Sequence, residues 1–279
     1  MAFEVASVKP ATRPRTPNFP LDPGDAKTPG GRFSASADLG AYIQFAYKLG
    51  LDLEMEKQFS KLPKSLGSDF YDIEARAPGN PTKDQMRLMM QSLLADRFKL
   101  ALHFETQEGS VLALTLAEPG KTGPKLRPHS EGPSCSDSFE MSTLGEISSA
   151  KDVFPPNCQT FLGRTQPNGA TLMGSRNTTM PSLANGIYGA GNMAGEVDKP
   201  VIDRTGLVGR FDFTIEYMPD PSRNRFVGLS QPKGDAGPPD SQGPTFLEAL
   251  RKQLGLKLVS AKGPIRRLVI DHIERPFAN

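Results

Sequence analysis

Three histidines are the residues of this sequence with the widest chemical range, because an imidazole can act as base, acid or metal ligand near neutral pH. His103 stands in an alternating segment beside Glu105, and His272 directly follows Asp271. His129 lies in an irregular segment. None has second and third ligands at metal-site spacing, so we expect no metal and interpret each as a surface or strand-face imidazole.

Known catalytic motifs give little support for an enzyme. The sequence contains neither G-x-S-x-G nor H-E-x-x-H, the signatures of common hydrolases and metalloproteases. The stretch GAGNMA at 189–194 fits G-x-G-x-x-A, but the required strand and helix do not flank it. At 120–122, GKT looks like the end of a phosphate loop, but Pro124 blocks the helix that would bind phosphate. We therefore interpret 120–122 as a turn and expect no cofactor. The sequence leaves one catalytic possibility open. His103 or His272 could meet a serine or carboxylate across the fold and act as a base.

The densest polar cluster runs from residue 198 to residue 210. Asp203, Arg204 and Arg210 are its candidate functional side chains, and Gly206 and Gly209 permit tight backbone turns. One interpretation is structural, in which the charged side chains lock a turn before the next strand. The other is a binding surface for a ligand or partner.

Three further residues complete the candidate binding set. Tyr47 and Tyr188 fall at matching ends of two predicted helices, where core or rim packing is the main interpretation and ligand contact the secondary one. His272 is the third, as the imidazole that could reach a groove.

Two cysteines, Cys135 and Cys158, lie in one segment rich in proline, serine and glycine. Their flanks have no helical or strand periodicity that would bury them as small apolar side chains. We therefore predict that they form a disulfide, which indicates an oxidising compartment. The alternative is a pair of unrelated free thiols.

Charge and length exclude two classes of partner. The chain has 279 residues and a net charge of +2 from 33 basic and 31 acidic residues, so no global field attracts nucleic acid or an anionic membrane. No apolar run is long enough to cross a bilayer as a helix. We expect neither nucleic-acid binding nor membrane insertion.

The elements that must position these residues occur as a repeated pattern. Capping boxes at Thr82 with Gln85 and at Thr245 with Glu248 begin two helices, and each helix leads into alternating strands. Leu247 is predicted to share the apolar stripe of the second helix. Earlier segments supply a strand, a helix and another strand in each half, and Asp38 is the predicted cap of the helix in the first half.

The pattern predicts an α+β protein with two pseudo-repeats, each ordered strand-helix-strand-helix-strand-strand and packed as a pseudo-twofold protein. The first repeat covers residues 1–117, and an irregular connector with both cysteines covers 118–168. The second repeat covers 169–279 and includes a Pro/Gly-rich loop at 220–243.

Four segments together resemble the soil-associated protein family known as domain of unknown function 3738. They are FEVASVKP at the start, DQMRLMMQSLLADRFKLALHFETQE, KPVIDRTGLVGRFDFTIEY and LEALRKQLGLKLVSAKGPIRRLVIDHIERP at the end. The resemblance implies export, a signal peptide removed upstream of residue 1, and a periplasmic or secreted location in a soil bacterium. A local similarity of the last segment to short N-terminal modules of secretins and TonB-dependent receptors implies an interaction domain.

Two functions remain open at this stage. The first is an exported, non-catalytic binding or protein-interaction module, whose partner is an unknown protein or small molecule outside the cytoplasm. The second is a secreted hydrolase with an unrecognised Ser/His/carboxylate site in the groove between the repeats.

Overall fold

A computed structural model describes residues 1–19, 21, 24–25, 30–49, 69–136, 154–220 and 243–276. The fold is mixed α+β, as predicted. In chain order the elements of the described residues are β1 (Val5–Ala11), β2 (Arg32–Asp38), α1 (Leu39–Ala46), β3 (Phe70–Arg76), α2 (Lys83–Arg97), β4 (Ala101–Leu116), β5 (Leu126–Pro128), β6 (Leu162–Thr165), β7 (Thr171–Thr178), α3 (Met180–Met193), β8 (Val201–Asp203), β9 (Phe211–Tyr217), α4 (Phe246–Leu254) and β10 (Leu256–His272).

The chain forms two compact units. Unit 1 consists of Met1–Gln107, Ser136–Glu146 and Pro264–Asn279, and unit 2 consists of Glu108–Cys135 and Ile147–Gly263. Strands β4 and β10 therefore each contribute residues to both units.

Unit 1 contains an antiparallel sheet with the strand order β1-β3-β2. Alternate residues of β3 are buried, as strand geometry requires, and they join α1 and α2 in one apolar core. The buried hydroxyl of Tyr42 lies 2.7 Å from the carbonyl oxygen of Tyr71 and accepts a hydrogen bond from the amide of Ala37 at 3.1 Å. The sheet and α1 are thereby linked by a buried polar contact as well as by packing.

Local sequence signals set the helix starts in both units. Asp38 caps α1 by accepting a hydrogen bond from the amide of Ala41 at 2.9 Å. Both predicted capping boxes are present, at Thr82 in unit 1 and at Thr245 in unit 2. The side-chain oxygens satisfy N–H groups that have no partner within a helix.

Unit 2 contains a four-stranded antiparallel sheet with the order β5-β9-β7-β6. Alternate aromatic and aliphatic residues of β9 are buried, and α4 packs against this strand. The prediction that Leu247 belongs to the buried stripe of α4 is wrong, since 40% of this residue is exposed. It follows buried Phe246 by one position, a rotation of about 100° around the helix axis.

The predicted pair of strands at the end of each repeat is wrong in both halves. The structure has one continuous strand there, β4 with 16 residues and β10 with 17. The two strands pair with each other, and β8 lies parallel to β4 on its other side. Gly263 lies within β10, where an added Cβ would come within 2.9 Å of the side chain of Ile202. This glycine therefore serves close packing between strands.

Other predicted segments have mixed outcomes. The GKT stretch at 120–122 follows β4 as a turn, and Gly120 has a φ of +71°. The GAGNMA stretch begins inside α3, where no phosphate-binding loop exists. Short strands β5 and β6 form within the predicted connector at 118–168, whereas residues 221–242 of the predicted loop lie outside the described residues. No helix in the described ranges is long and apolar enough to span a membrane.

Substitution of Gly255 tests the close packing after α4. Its φ is +67°, and a Cβ would lie 2.4 Å from the backbone nitrogen of Gly123. We expect Gly255→Ala to lower the free energy of unfolding by more than about 2 kcal/mol, through backbone strain and displacement of the neighbouring chain. Urea titration measures the loss.

Gly120→Ala is the matched control, because Gly120 has a φ of +71° but open space around the Cβ position. In this variant the free energy of unfolding should fall only by the cost of backbone strain, about 1 kcal/mol. Equal losses in the two variants would contradict the packing argument.

Candidate functional site

A β-bulge in β7 creates a densely bonded polar site in the described part of unit 2. Ser175 pairs with Phe213 and Thr178 with Phe211, so the two residues between them, Arg176 and Asn177, face Asp212 of β9. A bulge leaves backbone groups unpaired and redirects side chains. In β7 the bulge directs the side chain of Arg176 and the backbone amide of Asn177, which has no partner in the strand ladder, toward the carboxylate of Asp212.

Asp212 is the centre of this site and is only 4% exposed. Its Oδ1 accepts hydrogen bonds from the amide of Asn177 at 2.9 Å and from Nδ1 of His129 at 2.6 Å. Its Oδ2 accepts a hydrogen bond from Nε of Arg176 at 3.3 Å. A buried carboxylate needs such partners because it has lost its hydration.

His129 reaches the carboxylate from a short 3-10 turn, His129–Glu131, that follows β5. Because β5 pairs with β9, the backbone amide of His129 donates to the carbonyl oxygen of Arg210 at 2.8 Å. Gly132 closes the turn, and a Cβ there would lie 2.5 Å from Oδ2 of Asp212. The turn therefore approaches the carboxylate closely only with glycine at this position.

Arg176 also holds the two chain segments that carry the cysteines. Its guanidinium, on a residue only 2% exposed, donates to the carbonyl oxygens of Pro133 and Ser134. Its own carbonyl oxygen accepts a hydrogen bond from the amide of Gln159 at 2.6 Å. One buried residue thus fixes both the segment before Cys135 and the segment after Cys158.

The predicted disulfide between Cys135 and Cys158 is confirmed, with the two Cα atoms 5.3 Å apart. Cys158 is only 3% exposed, so the expectation that its flanks would leave it unburied is wrong. Packing of the irregular segment against the bulge buries it without any periodic pattern.

The second ring nitrogen of His129 faces this disulfide. Nε2 lies 4.0 Å from Sγ of Cys135, while Nδ1 contacts the carboxylate of Asp212. A carboxylate accepts hydrogen bonds, so we assign the proton of the neutral imidazole to Nδ1 and the lone pair to Nε2. The arrangement places an oriented base beside a sulfur atom.

Sequence reasoning missed this site because it interpreted His129 as an ordinary imidazole of an irregular segment. The one signal was Asp212 between two phenylalanines of an alternating strand. Alternation places a residue between two buried phenylalanines on the solvent face of a strand. Asp212 is nevertheless buried, because both faces of β9 are covered at this position.

The other two histidines have exposed carboxylate partners. Nδ1 of His103 lies 2.9 Å from Asp271, and Nε2 lies 3.4 Å from Glu105. The hydrogen bond to Asp271, assisted by Glu105, raises the pKa of His103 above its ordinary value. Nε2 of His272 lies 2.8 Å from Glu274.

The polar cluster 203–210 forms a bonded turn between β8 and β9. Oδ1 of Asp203 accepts hydrogen bonds from the amide and the hydroxyl of Thr205 at 2.9 and 2.8 Å. Arg204 donates to the carbonyl oxygen of Lys262 at 2.9 Å, and Arg210 donates to that of Asn177 at 2.8 Å. All three predicted side chains therefore bond the backbone that surrounds the turn.

The remaining candidates lie elsewhere. Tyr47 is half-buried, its ring meets that of Phe104 edge to face at 6.1 Å, and burial raises the pKa of its hydroxyl. Tyr188 is buried within α3. Tyr47 and His272 belong to unit 1, whereas Tyr188 and the turn belong to unit 2.

Within the described part of the chain, no cluster of three His, Cys, Asp or Glu residues is arranged to hold a metal ion.

Asp212→Asn tests the buried charge network. The substitution leaves the cation of Arg176 buried without its carboxylate, so the free energy of unfolding should fall by about 3 kcal/mol. Chemical denaturation measures the difference. Glu118→Gln removes the exposed partner of Lys121 and should change stability by less than about 0.5 kcal/mol, as surface pairs generally do. Similar losses for both variants would refute a dominant role of the buried pair.

Arg204→Ala tests the structural interpretation of the turn. Loss of one hydrogen bond to a β10 carbonyl should cost about 1 kcal/mol and lower Tm by about 2 to 4 °C. Differential scanning calorimetry gives the value. An unchanged Tm would assign Arg204 to binding alone.

Comparison with known proteins gives one result. A family model described as protein of unknown function (DUF3738) matches residues 40–273. Searches of curated proteins and of solved structures return no match. The match spans most of the chain, both units and every residue of the bulge site. The chain therefore belongs to the DUF3738 family.

Proposed function

We propose that this protein is an exported, non-catalytic interaction module that binds a partner protein with the turn between β8 and β9. The observation that carries the proposal is Val208, which lies in this turn with 95% of its surface exposed. An apolar side chain is favoured at such a position when a partner removes it from water.

The turn is rigid before any partner arrives. Gly206 and Gly209 adopt positive φ values, and the side chains of Asp203 and Thr205 hold the backbone by hydrogen bonds within the turn. A loop fixed in its bound conformation loses little conformational entropy on binding. Asp203, Arg204 and Arg210 thus support recognition by holding the turn, and Val208 makes the central contact.

The surroundings of Val208 indicate the chemistry of the partner. Arg204 and Arg210 are exposed on either side of it, although each donates one hydrogen bond to a carbonyl oxygen. Guanidinium groups at the rim of an interface favour carboxylates on the other surface. The expected partner is therefore a protein with a small apolar pocket bordered by acidic residues.

Export is part of the proposal. The buried disulfide of unit 2 is of a kind that persists outside the reducing cytoplasm. A periplasmic or secreted location fits both this bond and the absence of a membrane-spanning helix among the described residues.

We further propose that the two halves arose by internal duplication. The order strand, helix, strand, helix and long strand occurs first as β2, α1, β3, α2 and β4, and again as β7, α3, β9, α4 and β10, with β8 added in the second half. A capping box starts the second helix of each series. Matching order and matching caps are the support for a common origin.

A hydrolase remains the second candidate because His129 and Asp212 form the base and carboxylate of such a site. Among the described residues, the side-chain atom that contacts Nε2 of His129 is the disulfide sulfur of Cys135 at 4.0 Å. A serine nucleophile would have to occupy that position, so the geometry favours sulfur chemistry over acyl transfer.

Val208→Asp tests the interaction module. Purified wild-type protein, immobilised and exposed to the periplasmic and secreted protein fractions of its own cell, should retain a specific partner. Val208→Asp should weaken this retention at least tenfold, because a charge would have to enter an apolar pocket.

Val5→Asp is the matched control, since Val5 is also a well-exposed valine at 69% and belongs to unit 1. It should retain the partner as the wild type does. Equal retention by the two variants, or no retention by the wild type above the level of Val208→Asp, would overturn the proposal.

A further inference from the structure

The geometry around the disulfide points to a chemical reactivity in addition to the proposed binding, argued from observations other than the exposure of Val208. We propose that Cys135–Cys158 is a thiol–disulfide exchange site in which Cys135 reacts with external thiols and His129 is the proton acceptor. The proposal is carried by the position of His129 between Asp212 and Cys135. Nδ1 of His129 lies 2.6 Å from Oδ1 of Asp212, and Nε2 lies 4.0 Å from Sγ of Cys135.

Accessibility selects Cys135 as the reacting sulfur. Cys135 is partly exposed, whereas Cys158 is buried. The side chain of His129 is 25% exposed, so its ring lies at the surface where an incoming thiol would meet Cys135. A thiol beside an imidazolium has a lower pKa than an isolated thiol, and its thiolate is the better leaving group.

The surrounding charges favour this role for His129. Asp212 orients the ring through Nδ1 and stabilises the imidazolium that forms when Nε2 takes a proton. Arg176 bonds the other oxygen of Asp212 and so keeps the carboxylate in place. Among the described residues, further charges near the site are Arg127 of β5, Glu131 of the same turn and Arg210, whose carbonyl oxygen accepts the amide of His129.

The first step opens the disulfide. An external thiol gives its proton to Nε2 of His129, and its sulfur attacks Sγ of Cys135. The bond between the two cysteine sulfurs breaks, Cys158 takes the electron pair and is protonated by water, and Cys135 carries a mixed disulfide.

The second step releases the product. A second external thiol loses its proton to the solvent, which replaces the proton given to Cys158, and its sulfur attacks the external sulfur of the mixed disulfide. Cys135 leaves as a thiolate beside protonated His129, from which it takes the proton. In total, two external thiols are oxidised to one disulfide, and the protein disulfide is reduced to two thiols. The substrate class is therefore small or protein-borne thiols outside the cytoplasm.

The first experiment measures the reactivity of Cys135 as a free thiol. In Cys158→Ser, alkylation by iodoacetamide is followed between pH 5 and pH 9. We expect reaction at pH 6 about tenfold faster than in Cys158→Ser with His129→Gln, because His129 raises the thiolate fraction. The control is Cys158→Ser with His103→Gln, which changes an exposed imidazole of unit 1 and should match Cys158→Ser. Equal rates in all three would overturn the proposal.

The second experiment leaves both cysteines in place and so does not depend on the stability of Cys158→Ser. Reduction of the native disulfide by reduced glutathione is followed by mass spectrometry of alkylated protein. His129→Gln should slow the reduction at pH 7 about tenfold, and His103→Gln should leave it unchanged. A rate unaffected by His129→Gln would show that the disulfide is purely structural.

Discussion

The burial of one carboxylate constrains the described elements around the bulge of unit 2. Asp212 lies on the central part of its sheet with almost no solvent contact, which is unfavourable for an ion unless every lone pair is satisfied. The bulge of β7, the turn after β5 and the guanidinium of Arg176 satisfy it from three directions. Arg176 in turn holds the described residues next to the two cysteines, so the position of these residues depends on this charge.

The candidate turn and the disulfide site share backbone contacts. The carbonyl oxygen of Arg210 accepts the amide of His129, and the guanidinium of Arg210 donates to Asn177, whose amide bonds Asp212. The residue that ends the turn therefore also holds the imidazole and the bulge. A partner that shifts Arg210 would change the position of His129 relative to the sulfur, so the proposed binding and the proposed thiol exchange have a physical route of coupling.

Sequence predicted those features that depend on neighbouring residues. Capping at Asp38, Thr82 and Thr245 involves partners three positions away, and helical or strand periodicity is equally local. The site could not be predicted in this way, because His129 and Asp212 are 83 positions apart and meet only through strand pairing and a bulge. The continuous strands β4 and β10 were not predicted because their packing also depends on residues distant in sequence. Gly263 inside β10 packs closely against the side chain of Ile202 on another strand, a contact that no local pattern reveals.

The sharing of β4 and β10 by both units has a consequence for biosynthesis. Unit 1 begins at the N-terminus, yet its core includes Leu268, and the amide of Glu274 donates to the carbonyl oxygen of Phe98. During synthesis, unit 1 therefore cannot complete its core until the residues of β10 have left the ribosome. The first half of the chain stays incompletely folded while the second half is made, so the synthesis of unit 1 and the completion of its fold are separated in time.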